Sequence, residues 1–137
     1  MEMNQSTEPL VDAVAAGPIT VVSIRTPMLT DSLSIAAVVN EVREISRRSE
    51  PPNILLNFHR VAHVSLDFLD EMTGVTEEIK MRGGSICCCS LSREMRSVLK
   101  TLGAHVLYAG HSVQHAVMRH RNWLERQRRA GTRSGAS

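Results

Sequence analysis

Residues 53–72 read NILLNFHRVAHVSLDFLDEM, and this stretch decides how the chain folds. Its first part, NILLNF, is a nearly continuous apolar run of strand length, which is typical of a strand covered on both faces. After a short polar loop, an apolar period of helical spacing begins at Phe68 and continues through Met72. The sequence therefore predicts a central strand, a turn and a helix that is capped by Ser65 or Asp67.

Strand and helix patterns also precede this stretch. Two runs rich in apolar and β-branched residues, residues 10–15 and 18–24, predict a hairpin. A first helix is predicted to begin with a cap at residues 30–32 and to end before Pro51. Its inward positions recur at helical spacing and are Ile35, Val38, Val39, Val42 and Ile45.

The same alternation follows the second helix, which is predicted to end at Gly83 and Gly84. Residues 85–90 predict a buried strand, and a third helix ends at Gly103. Residues 105–108 predict a further strand, and Ser112 opens the last helix. The order is ββαβαβαβα, which indicates an α/β fold with a mixed, mostly parallel β-sheet and helices packed on it.

Length and charge divide the chain into three parts. Its 137 residues fit one domain, which we place at residues 10–120. Residues 1–9 are expected to be a flexible leader. Residues 121–137 are expected to be a basic extension of the last helix that becomes a disordered tail from Gln127 onward. From Arg119 there are six arginines and one glutamate, a charge of +5, so the remainder carries −3 of the net +2.

The apolar runs are far shorter than the roughly 20 residues that a membrane-spanning helix needs. The first residues, MEMNQSTEPLVD, lack the basic flank and apolar segment of a secretory signal. The three cysteines form one block, and neighbouring residues of a strand point to opposite faces, so they do not pair readily with one another. We therefore expect a cytoplasmic protein with reduced thiols and no membrane association.

One spacing leaves an enzyme as an alternative. Cys87 lies six residues before Arg93 at a predicted strand-to-helix turn, which is the spacing of nucleophile and arginine in cysteine phosphatases. Such an enzyme needs a thiolate held in positive surroundings and a loop whose amides bind phosphate oxygens. The loop here contains no glycine, and Glu94 follows the arginine. We therefore favour a buried strand cysteine and a capped helix.

No other pattern predicts a catalytic, metal or cofactor site. The six histidines are scattered without metal-ligand spacing, although His59 and His63 flank the loop after the central strand. Neither nucleotide-binding glycine motif occurs. The arginines of the basic tail leave a nucleic-acid-binding module as a second alternative, but only Trp123 offers a stacking surface nearby.

Taken together, the element order, NILLNF, its continuation HRVAHVSLDFLDEM, the segment MRGGSICCCSLSREMRSVLKTLG and the closing VLYAGHSVQHAV resemble the STAS domain. The resemblance covers residues 10–120. The family includes bacterial anti-sigma factor antagonists, so the resemblance implies a non-enzymatic module that binds proteins and regulates transcription. It implies no cofactor. The implied partners are an anti-sigma factor kinase or another STAS protein, with a homodimer as a further option.

The resemblance also implies where the regulatory site lies. In the family, a motif of the type Asp-Ser-Ser-Gly opens the second helix, and a kinase phosphorylates its first serine. In this chain the four positions are Ser65, Leu66, Asp67 and Phe68, so leucine replaces the phosphoacceptor and the motif is degenerate. Ser65 is the one hydroxyl left as a candidate for phosphorylation.

A second family turn, Gly-Glu-Leu-Asp, falls on residues 27–30, with Asp31 one place late. We therefore expect a partner-binding surface that combines this turn with the start of the second helix. Its residues would be Met28, Leu29, Thr30, Asp31, Ser65, Leu66, Asp67 and Asp70.

Overall fold

The computed structural model describes residues 9–101 and 107–136. The strands are β1 (Val11–Ala16), β2 (Ile19–Ile24), β3 (Met28–Leu29), β4 (Asn53–Asn57), β5 (His63–Val64), β6 (Ser85–Cys89) and β7 (Leu107–Tyr108). The helices are α1 (Ser32–Arg47), α2 (Leu66–Met81), α3 (Arg93–Thr101) and α4 (Val113–Ala136). The first eight residues of the leader predicted over residues 1–9, the helix end at Gly103 and the start of the strand predicted over residues 105–108 lie outside the described residues.

The main sheet has the strand order β1-β2-β4-β6-β7. β1 is antiparallel to β2, and every other neighbouring pair in this sheet is parallel. β4 lies in the middle, and Ile54 and Leu55 have no exposed surface. The predicted α/β fold with a mixed, mostly parallel sheet is therefore confirmed, as is the predicted central strand.

Helices cover both faces of the sheet. Residues that point alternately from the strands join two separate apolar clusters. The larger cluster lies with α1 and α2 and includes Leu56 and Cys88. The smaller one lies with α4 and includes Leu55, Cys87 and Cys89. The sequence predicts that neighbouring cysteines point to opposite faces of the strand. The three cysteines are divided between the two clusters in this way.

A second, two-stranded sheet joins β3 to β5 in parallel, with Met28 opposite His63 and Leu29 opposite Val64. The sequence does not predict these strands, because two residues are too few to show a strand period. This small sheet connects the turn before α1 to the loop before α2.

The ends of α1 and α2 follow their sequence signals. The Asp31 carboxylate accepts a hydrogen bond from the Ser34 N–H at 2.9 Å, which caps α1. At the end of α2, the Gly83 N–H donates to the Lys80 carbonyl and the Gly84 N–H donates to the Ile79 carbonyl. This pair of bonds is a Schellman motif, and Gly83 supplies its left-handed residue with φ of 79°.

The last helix is longer than the sequence predicts. The predicted disordered tail from Gln127 is wrong for residues 127–136, which continue α4 as helix. Arginine, glutamine and alanine are good helix formers, and Glu125 forms ion pairs with Arg128 and Arg129 one turn later. The division of the chain into a leader, a domain and an extension stays a prediction.

A buried polar cluster fastens α4 to the sheet. Ser85 donates its hydroxyl to Asn53 Oδ1 at 2.8 Å, and its Oγ lies 2.7 Å from His120 Nε2. Since the serine proton is used on Asn53, His120 donates from Nε2, and its Nδ1 has no partner among the described residues. Burial lowers the pKa of His120 to about 4. The imidazole is therefore neutral at pH 7.

The first prediction concerns Gly84. Its replacement by alanine is expected to lower the free energy of unfolding by about 2 kcal/mol, because the new Cβ would overlap the Pro52 carbonyl oxygen, which accepts the Ser85 N–H. Gly74 in α2 is the matched control, since no atom would meet its Cβ within 4 Å. Gly74→Ala is expected to stabilise the protein by about 0.5 kcal/mol. Urea unfolding measures both, and equal effects would contradict this account.

The second prediction concerns pH. Because the folded pKa of His120 lies below its usual 6.5, the unfolded chain binds this proton first as pH falls. The stability that neutral His120 contributes is complete above pH 6.5 and is lost between pH 6.5 and about 4, by at most about 1.4 kcal/mol per pH unit. Denaturant unfolding measured from pH 7 to pH 4.5 should show that the free energy of unfolding falls less steeply with falling pH in His120→Gln than in the unsubstituted protein. His115→Gln, which changes an exposed histidine of the same helix, should keep the steeper loss.

Candidate functional site

The start of α2 is held in place by β3. The Ser65 N–H donates to the Leu29 carbonyl at 2.9 Å, and the Ala62 N–H donates to the Pro27 carbonyl at 2.8 Å. The Ser65 hydroxyl then accepts a hydrogen bond from the Phe68 N–H at 3.4 Å and caps the helix. The two segments that the sequence analysis assigns to one surface are thus joined by backbone hydrogen bonds.

Exposed apolar side chains mark this region. The exposed fraction is 44% for Met28, 61% for Leu66 and 83% for Leu33. Met28 lies on β3, Leu66 is the first residue of α2, and Leu33 lies in the first turn of α1. We call the region formed by Met28, Thr30, Asp31, Leu33, Leu66, Asp67 and Asp70 the β3–α2 surface. Large apolar side chains exposed on these hydrogen-bonded segments make the β3–α2 surface a candidate for protein binding.

Leu33 belongs to this surface although it was not predicted from the sequence. It lies outside the apolar stripe of α1, whose buried positions begin at Ile35. An apolar residue off the buried stripe was the available signal. Leu29 was predicted to be part of the surface, but it is buried. Its side chain has no exposed area and belongs to the larger apolar cluster, so Leu29 supports the surface from below.

Carboxylates accompany the apolar residues. Asp31, Asp67 and Asp70 are all exposed. The hydrogen bond from the Ser34 N–H, together with the Ser34 side chain, lowers the pKa of Asp31 below its ordinary value of 3.8. Asp67 lies in the first turn of α2, where negative charge is favoured by the helix dipole. The β3–α2 surface therefore combines apolar contact area with negative charge at neutral pH.

Ser65 is half-buried, because its backbone is tied to β3 and its hydroxyl serves as the helix cap. Leu66, at the position where the family resemblance implies a phosphoacceptor, projects into solvent instead. The hydroxyl that the sequence retains is thus engaged in the fold, and the position that is freely accessible carries no hydroxyl.

The two histidines near this region do not come together as a site. His63 lies on β5 opposite Met28, whereas His59 lines a cleft of about 250 Å³ beside Asp12 and Arg25 of the hairpin. In the described part of the chain, no group of three or more His, Cys, Asp or Glu side chains could hold a metal ion. No helix among the described residues has the length and apolar character to cross a bilayer.

The cysteine alternative lacks a reactive thiol. Burial raises the pKa of Cys87 to about 11 and, with repulsion from the neighbouring thiols, that of Cys88 to about 12. Cys87 lies in the apolar cluster beneath α4, while Arg93 is exposed at the start of α3. A protonated sulfur that is buried in an apolar cluster is neither a thiolate nor open to a phosphate ester, which a phosphatase nucleophile must be.

The cluster of Ser85, His120 and Asn53 has the residue types of a hydrolase site but not its order of contacts. In such a site a third group orients the histidine through Nδ1. Here Asn53 contacts the serine instead, and His120 Nδ1 has no partner among the described residues. Ser85 and His120 are at most 5% exposed, and Asn53, at 7%, is the member of the cluster that lines a cleft beside α4. The cluster is structural.

No protein-family model and no curated protein sequence matches the chain. Solved structures do match it. An anti-sigma-factor antagonist (STAS) domain protein from Planctomyces limnophilus has a TM-score of 0.69 at 16% identity, over 80% of this chain and 97% of the other. A putative anti-sigma factor antagonist from Thermotoga maritima has a TM-score of 0.66 at 15% identity, over 81% and 94%.

The anti-sigma factor antagonist SpoIIAA in its unphosphorylated form has a TM-score of 0.62 at 14% identity, over 81% of this chain and 97% of the other. Each of these structures aligns with this chain over nearly its whole length, and each shares the arrangement of sheet and helices. The chain therefore has the fold of the STAS domains of anti-sigma factor antagonists, as its sequence predicts.

Proposed function

We propose that this chain is a non-enzymatic regulatory module that binds a protein partner through the β3–α2 surface. The single observation that carries the proposal is the exposure of Leu66, a large apolar side chain that is 61% exposed at the first position of a helix whose start is hydrogen-bonded to β3. Exposing an apolar side chain gives up burial free energy that a partner would recover.

The composition of the surface suggests the class of partner. Apolar anchors at the centre of a protein interface contribute most of its affinity, and charges around them set orientation and association rate. The exposed Met28, Leu33 and Leu66 supply the first feature, and Asp31, Asp67 and Asp70 supply the second. The structural neighbours are named anti-sigma factor antagonists. We infer an anti-sigma factor of the kinase type as the partner, with another STAS chain as the second candidate.

We also propose that the phosphorylation switch of this surface is lost. Phosphate at the start of a helix is favoured by free amides, but Asp67 already occupies this end and would oppose a second negative group. The Ser65 hydroxyl is engaged as the cap. The module would therefore bind its partner regardless of kinase activity. The three buried free cysteines support a reducing compartment, and we propose the cytoplasm.

The third prediction tests the surface. Leu66→Gln is expected to weaken binding to the anti-sigma factor proposed as partner by about tenfold, because it removes an apolar anchor. The matched control is Met81→Gln, since Met81 is an exposed apolar residue at the opposite end of α2. The control should leave affinity unchanged, and both variants should keep their free energy of unfolding within about 0.5 kcal/mol. Titration calorimetry decides, and equal affinities for the two variants would move the interface elsewhere.

The fourth prediction tests the switch. Incubation with the partner kinase and ATP should add no phosphate to residues 63–73, as read by intact mass and peptide mapping. Leu66→Ser combined with Asp67→Ser restores a hydroxyl at an exposed position and removes the opposing charge, so this double variant should become phosphorylated, which also shows that the kinase is active. Stoichiometric phosphate on Ser65 of the unsubstituted protein would show that the switch has moved by one residue and is intact.

A further inference from the structure

The second half of α4 extends beyond the sheet. A helix of 24 residues spans about 36 Å, whereas strands of five or six residues span about 20 Å. The inward side of α4 packs on the sheet as far as Leu124, and Arg126 to Ala130 are exposed. Between α4 and the residues at the start of β2 and β4 lies a cleft of about 740 Å³, which is within the usual size of ligand sites.

The walls of this cleft combine apolar and polar side chains. Pro18 and Pro51, which precede β2 and β4, lie on one side, and Val117, Met118 and Leu124 of α4 lie on the other. Met118 is 61% exposed. The cleft thus offers apolar contact area that the fold leaves in water. Because β2 and β4 begin here, the cleft lies at the opposite end of the sheet from the loop that leads to α2.

Three guanidinium groups line the same cleft, from Arg121, Arg128 and Arg129. Glu125 binds Arg128 through both carboxylate oxygens at 2.8 and 2.9 Å and lies 3.6 Å from Arg129. Arg121 has no acidic partner among the described residues. Its side chain covers the β1–β2 turn, because a Cβ atom added to Gly17 in that turn would lie 3.9 Å from Arg121 Nε. Three positive charges against one negative charge leave the cleft with +2.

The shape of the cleft limits the class of partner. Its α4 wall runs from Gln114 to Arg129, about 22 Å of helix, which matches about seven residues of extended peptide. Nucleic-acid strands are bound by aromatic stacking as well as charge, and the half-buried Trp123 does not line this cleft. A membrane surface is flat and would not enter a concave groove.

We propose that this cleft is a second docking site, which takes an extended acidic segment of a partner protein with apolar residues between its carboxylates. The carboxylates pair with Arg121 and the neighbouring guanidinium groups, and the apolar side chains contact Met118 and Leu124. The β3–α2 surface takes no part in this binding. The chain would therefore join two protein segments at opposite ends of its sheet.

The test uses the full chain and a fluorescent peptide of sequence Glu-Leu-Glu-Glu-Leu-Glu-Glu-Leu, with binding followed by anisotropy. We expect saturable binding that weakens as NaCl rises, because added salt screens the charges. Arg121→Glu should weaken binding by about tenfold or more. Arg119→Glu is the matched control, since it makes the same charge change on the same helix at an exposed residue outside the cleft. It should change affinity less than threefold, and circular dichroism should confirm that both variants are folded.

Three results would overturn the proposal. They are no binding of the peptide, equal losses in Arg121→Glu and Arg119→Glu, and tighter binding of a single-stranded oligonucleotide or of vesicles containing phosphatidylglycerol than of the peptide. Equal losses in the two variants would show that peptide affinity depends only on the net charge of the helix and not on the cleft. Leu66→Gln should leave peptide binding intact, so the outcome is independent of whether the β3–α2 surface binds a partner.

Discussion

The burial of β4 on both faces and both edges is the constraint on which the rest of the structure depends. Its backbone pairs with β2 on one side and β6 on the other, and Ile54, Leu55 and Leu56 are at most 2% exposed. A strand with no exposed face needs a layer of helices on each side. α1 and α2 form one layer and α4 forms the other. The loop after β4 must therefore turn back toward α2 at the end of the sheet, and there it forms the β3–α2 surface.

Backbone hydrogen bonds hold the loop segments of the candidate site against each other. β3 and β5 contribute only two residues each, yet their ladder fixes the approach to α2 through the Leu29 carbonyl. Leu29 is buried below, so the backbone that carries Met28 cannot move away without opening the core. A site that is formed in advance loses less conformational entropy when a partner binds.

Much of this arrangement could be predicted from the sequence. Continuous apolar runs identify β4 and β6, and the caps at Asp31 and the glycine pair after α2 mark helix ends, because each signal is local. β3 and β5 could not be predicted, since their pairing depends on two segments far apart in the chain. The role of His120 was missed for a related reason, because whether its ring meets Ser85 depends on which face of the sheet α4 covers, and spacing along one helix does not show this. Leu33 could have been found from its position off the buried stripe of α1.

The cysteine block has a practical consequence for labelling. All three thiols of the chain are buried, and their raised pKa values keep them protonated at neutral pH, so they react slowly with maleimides. A cysteine introduced at an exposed position would then be the single reactive thiol of an otherwise unmodified protein. Dyes could be attached at either end of the sheet without first removing Cys87, Cys88 or Cys89, whose side chains fill the interior on both sides of β6.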